Sequence, residues 1–196
     1  MRTALALAAV ALSLTAAGCE PVPSINPLVP EGQAAVEPAL AGTWRSLDPE
    51  EKEVLLRFEP AEEGSFKITY TAEEGKSSLL EGRLMRLEDR LYLDAYPSAD
   101  RAEELFAREA FFPVIPVHTF YRIEIAEDRL RLSWLDDTKL REQLKQGKVD
   151  VAHETIQPPG WGTYLVLTAS TRDLQALVRA HPEVFGEAEE FARAQE

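Results

Sequence analysis

The chain has 196 residues, 45% of them hydrophobic and 28% charged, with a formal net charge of −13. Its 34 acidic side chains against 21 basic ones argue against nucleic-acid binding, where affinity comes from neutralising phosphates, and against a polybasic grip on anionic lipid. Solubility through self-repulsion is the ordinary use of such a balance, and docking to a basic partner is the sharper alternative.

Residues 1–18 carry one positive charge (Arg2), an apolar run from Ala4 to Leu14 and the small-residue stretch Ala16-Ala17-Gly18. That order is a secretory signal peptide. The apolar run is too short to cross the bilayer as a mature helix, which needs roughly 20 residues. Cys19, the only cysteine, follows at once and has no partner for an intramolecular disulfide. The Gly18-Cys19 junction resembles the lipobox of bacterial lipoproteins, with Ala16 standing where that class usually carries Leu. The resemblance implies cleavage before Cys19, acyl chains such as palmitate on its sulfur, and acylation of the new amine. Two or three chains pass the threshold for stable membrane attachment. Glu20, where an Asp would favour inner-membrane retention, leans towards the outer membrane, with the protein facing the periplasm. Loss of Arg2 with the leader leaves 20 basic against 34 acidic side chains, a mature charge of −14.

Residues 19–38 contain Pro21, Pro23, Pro27, Pro30 and Pro38 and show no periodicity. They read as the lipidated cysteine and a semi-rigid tether. The remainder, 39–196, suits a single β-rich domain.

Strand signals dominate that domain. Gly42-Thr43-Trp44-Arg45 opens it. Val54, Leu56 and Phe58 alternate with Leu55, Arg57 and Glu59, and Phe66, Ile68 and Tyr70 alternate with Lys67, Thr69 and Thr71. Period two predicts one buried face and one wet face. Glu63-Gly64 and Glu74-Gly75-Lys76 supply turns. Leu79–Leu87 and Leu91–Tyr96 are joined by Glu88-Asp89-Arg90, and Val117–Ile125 and Leu130–Leu135 by Glu127-Asp128-Arg129. The tetrapeptide EDRL thus occurs at 88–91 and 127–130, which predicts two hairpins with one turn chemistry. A last strand is expected from Tyr164 to Thr168. Helices are expected over Asp100–Phe111, stopped by Pro113, and over Thr138–Gln146, followed by Gly147. Another begins at a Ser170 or Thr171 cap and carries Leu174, Leu177 and Val178. A further one starts at Pro182, with Val184, Phe185 and Phe191 on its apolar side.

Short antiparallel strands with short links imply a meander that closes or is covered, because open edges aggregate. The fold class is therefore mainly β with added helices (α+β): a barrel or a closed sandwich. Gly42-Thr43-Trp44 at the start of the first strand resembles the lipocalin-like class, as does a last strand running into a helix in YLVLTASTRDLQALV. The resemblance implies that Trp44 packs across the closed end of a barrel and that Gly42 lets the chain enter closely. It also implies an arginine ending the last strand, for which Arg172 is the nearest candidate. A Thr-Asp-Tyr-type second motif is absent. The mature chain, including Pro116-Val117-His118-Thr119-Phe120, also resembles a group of uncharacterised bacterial lipoproteins, which implies no activity.

Chemistry-bearing signals are few. His118, His153 and His181 lie too far apart for a metal-binding pair on one helix. His118 sits in an apolar strand and reads as a half-buried, hydrogen-bonded residue. Gly75-Lys76-Ser77 lacks the first glycine of a phosphate loop, with Tyr70 in its place, and joins strands. No G-x-S-x-G elbow occurs. Asp136-Asp137-Thr138 suits a helix start. Trp161, in a Pro/Gly loop, reads as packing over a barrel mouth or as a contact surface.

The sequence thus predicts a lipid-anchored envelope protein with Cys19 as its attachment site and no catalytic residue, metal or cofactor. Its expected role is non-enzymatic binding of an apolar small molecule or lipid, since a small barrel can hold one ligand. The alternative is an interaction module of a periplasmic or outer-membrane complex.

Overall fold

The computed structural model describes residues 21–51, 54–72, 75–98, 116–157 and 162–194. Cys19, the expected helix over 100–111 and Trp161 lie outside them.

Eight antiparallel strands close into a barrel. In chain order they are β2 (Gly42–Ser46), β3 (Leu55–Pro60), β4 (Ser65–Thr71), β5 (Ser77–Leu87), β6 (Arg90–Pro97), β7 (His118–Ala126), β8 (Arg129–Trp134) and β11 (Glu189–Arg193). Each pairs with the next, and β11 closes the ring by pairing with both β8 and β2. Closure leaves these strands no free edge along the paired stretches. Both expected hairpins form with two-residue turns. Glu88 and Glu127 open those turns at φ of 57° and 52°.

The period-two patterns point as expected. Trp44, Leu56, Phe58, Phe66, Ile68, Leu84, Leu93, Leu132 and Phe191 belong to one buried cluster inside the barrel. At one end, residues 38–40 form a 3-10 turn that carries the fully buried Leu40. Trp44 Nε1 donates to Leu40 O at 2.9 Å. The Arg193 guanidinium lies 4.2 Å over the Trp44 ring and donates to Ala41 O and Ala39 O. The arginine on this tryptophan is thus Arg193, from the last barrel strand, and Arg172 lies in a helix outside the barrel. Gly42 has φ 122°, and a Cβ there would come within 2.8 Å of Arg193 Nη1, so only glycine fits.

A second layer covers the outside of the wall. It contains β1 (Pro23–Ser24), β9 (His153–Ile156), β10 (Tyr164–Leu167), α1 (Asp137–Lys145) and α2 (Thr171–Ala180). Asp136 caps α1 by accepting from Lys139 N, and Ser170 caps α2 by accepting from Asp173 N. Leu174, Leu177 and Val178 of α2 share a buried cluster with Tyr92, Met85 and Phe120 from the barrel's outer face. Tyr92 Oη donates to Val178 O at 2.9 Å, satisfying a carbonyl in the last turn of α2.

Three expectations need correction. Residues 21–30 are not a free tether. Val22, Ser24, Leu28 and Val29 are all at most 1% exposed, and β1 is inserted between β7 and β10. Buried Asp94 fixes this strap, accepting from Leu28 N at 2.7 Å and Val29 N at 3.1 Å through one carboxylate oxygen. Its other oxygen meets His118 Nδ1 at 2.7 Å. The strand at 164–167 is not a barrel strand; it pairs with β9 and β1. The expected helix from Pro182 is a single 3-10 turn, after which the chain extends into β11, so Phe191 faces the barrel interior from a strand.

Candidate functional site

The closed end holds Trp44 and Leu40. At the other end the interior opens into a cavity of about 470 Å³. Its floor and walls are Leu56, Phe58, Ile68, Leu93, Ala95, Leu132 and Phe191, each at an inward position of its strand. The polar groups gather at the mouth: Tyr70 from β4, Ser78 from β5, Tyr121 from β7, Trp134 from β8 and Glu189 from β11. Pro21, at the start of the strap, also lines it.

Why the interior is hollow at one end follows from residue size. Ala95 and Gly82 stand opposite one another on β6 and β5. A Cβ on Gly82 would fall 2.6 Å from Ile68 Cδ1 and 2.7 Å from Leu93 Cδ1. The missing side chain lets these two ends lean in beside β5, and Ala95 adds one methyl where longer residues would fill the centre.

Glu189 is the one charged side chain among the described lining residues. The register Glu189↔Leu132 and Phe191↔Leu130 puts it on the same face as Phe191, while Glu190 turns outward to Arg131 at 3.3 Å. Burial, then the carboxylates of Glu51 and Asp48, pushes its carboxyl up to about 7 from the usual 4.5. Burial first, then Glu51 and Glu189, raises the Tyr70 hydroxyl as well. Trp134 Nε1 is buried and has no acceptor, and an unpaired buried N–H costs about 1–3 kcal/mol. The mouth therefore offers two phenols, a serine hydroxyl and one carboxyl above an apolar pit, with the Trp134 indole beside them.

The histidines are elsewhere. His118 is hydrogen-bonded to Asp94 and stacks beside Tyr96, with ring centroids 5.1 Å apart. His153 bonds Val151 O at 2.8 Å, and His181 ends α2 beside Glu183. None of them lines the barrel cavity. Among the described residues no group of three or more His, Cys, Asp or Glu is placed to hold a metal ion, and no helix is long and apolar enough to cross a membrane. Sequence reasoning missed Glu189 because it lies in the segment read as helix. The strand reading was available in Glu189-Glu190-Phe191-Ala192-Arg193, where Glu189, Phe191 and Arg193 share a face.

No protein-family model, no curated protein and no solved structure matches the chain.

Proposed function

We propose that this protein is a non-enzymatic carrier or sensor that holds one small amphiphilic molecule in its barrel. The observation that supports the reading most is the cavity itself: about 470 Å³, apolar at depth and polar only at its mouth. That volume lies within the range of small-ligand sites, which pair apolar walls with a few placed polar groups.

The proposed anchor fits this reading. Cys19 precedes Pro21 by two residues in the sequence. Pro21 lines the mouth. Lipid at Cys19 would therefore hold the opening against the bilayer, where an amphiphile partitions. Replacing Cys19 by Ser releases the protein into the soluble periplasmic fraction if the anchor is real, and membrane retention of that variant would refute it.

The binding claim is tested with N-phenyl-1-naphthylamine, an uncharged fluorophore that brightens in apolar sites, and with native mass spectrometry of the full chain taken from its own envelope. Ala95→Phe places a ring in the centre of the cavity. The expected result is a bound probe, an adduct of small-molecule mass, and about tenfold weaker probe binding in Ala95→Phe with folding retained. Equal probe binding by the two proteins would mean the cavity is not the site.

A further inference from the structure

We propose that the molecule held in the barrel carries a cationic head, a protonated or quaternary amine on an apolar body, with Glu189 as its counter-ion. This rests on the cavity-binding reading above and adds the ligand's charge class.

Three observations carry it. First, Glu189 is an inward-facing carboxyl in a lining that is otherwise uncharged among the described residues. Burying a carboxyl without a partner is costly, and a ligand cation would supply that partner. Second, no cation stands among the described residues that line the cavity to receive an anionic head. Lys139, in the neighbouring groove, donates its ammonium to Phe185 O at 2.8 Å. Arg131 turns outward to Glu124 and Glu190. A fatty carboxylate entering here would meet Glu189, Glu51 and Asp48 with nothing to offset the repulsion. Third, Tyr70, Tyr121 and Trp134 surround the same level of the mouth, and aromatic faces attract organic cations.

The pH dependence follows from the groups around Glu189. They are Asp48 and Glu51 after β2, Tyr70 on β4, Tyr121 on β7 and Trp134 on β8, with Asp136 and Lys139 in the adjoining groove. A cation binds the ionised carboxylate, so affinity for it rises with pH through about 7 and then levels off. A neutral head shows no such rise.

The experiment is displacement of N-phenyl-1-naphthylamine from the full chain by decylamine, decanol and decanoate at about pH 8 and about pH 5.5, repeated with Glu189→Gln. Expected at the higher pH is displacement by decylamine at roughly tenfold lower concentration than by decanol, with decanoate weakest. The amine-to-alcohol ratio falls towards one in Glu189→Gln, and in the unaltered chain at the lower pH. Decanoate matching decylamine, or an amine preference that survives both Glu189→Gln and the lower pH, overturns the proposal while leaving the cavity reading intact. Failure of the fluorophore to bind at all removes both. The pH series needs no substitution, so it decides the question even if Glu189→Gln fails to fold.

Discussion

Glu189 concentrates the unusual chemistry of this molecule in one side chain. Its folded carboxyl titrates near 7, above the ordinary 4.5, because burial and two neighbouring carboxylates disfavour its charge. The folded state therefore holds a proton that the unfolded state has already released between those two values. Stability contributed by the neutral form is complete below about 4.5 and is lost as pH rises through 7. The apo protein should lose thermal stability relative to Glu189→Gln between about pH 5 and pH 8. Melting curves of both proteins across that range check it, and parallel curves would place the carboxyl in water. Trp44 shows the opposite kind of residue, whose role was readable in advance. Gly42 and Trp44 stand at the start of a strand, and the resemblance of Gly42-Thr43-Trp44 to the lipocalin-like pattern implied both roles. Arg193, which covers Trp44, was not assignable because it reaches that ring from the far end of the chain, and no local pattern records such a meeting.

At the scale of elements, strands and hairpins were legible wherever period two and turn residues agreed. The two EDRL turns are the clearest case: identical sequence, and nearly identical positive φ at Glu88 and Glu127. Glutamate is a poor choice for that conformation, which costs a non-glycine residue about 1–2 kcal/mol and suits Asn or Gly. Replacing each by Asn should raise stability by about 0.5–1 kcal/mol per turn, read from denaturant midpoints at unchanged m-value. The same reasoning explains the element that was misread. Val184, Phe185 and Phe191 have helical spacing, yet only one 3-10 turn forms at Pro182. From Phe185 the backbone is extended, and β11 earns its place through pairing with β2 and β8, a long-range gain that outweighs local propensity.

For the molecule as a whole, the largest surprise is that the proline-rich segment belongs to the fold. Composition argued for a tether, since proline cannot donate to a ladder. The structure uses the few residues between the prolines instead: Val22, Leu28 and Val29 are buried, and the amides of Leu28 and Val29 bond Asp94. Fully burying such side chains contributes about 1.5–3 kcal/mol each, so the three together rival the net stability of a typical domain. A chain beginning at residue 39 should lose cooperative thermal unfolding, followed by near-ultraviolet circular dichroism. A true tether could be removed with no change in melting temperature. The barrel's strand order has one more consequence, in time. Its first strand, β2, is sealed by its last, β11, with every other barrel strand between them in sequence. During synthesis the other seven barrel strands emerge first, with β2 and β8 exposing edges that nothing yet pairs. The barrel therefore stays open until β11 has been made and can pair with both edges, which makes its closure a late, long-range step.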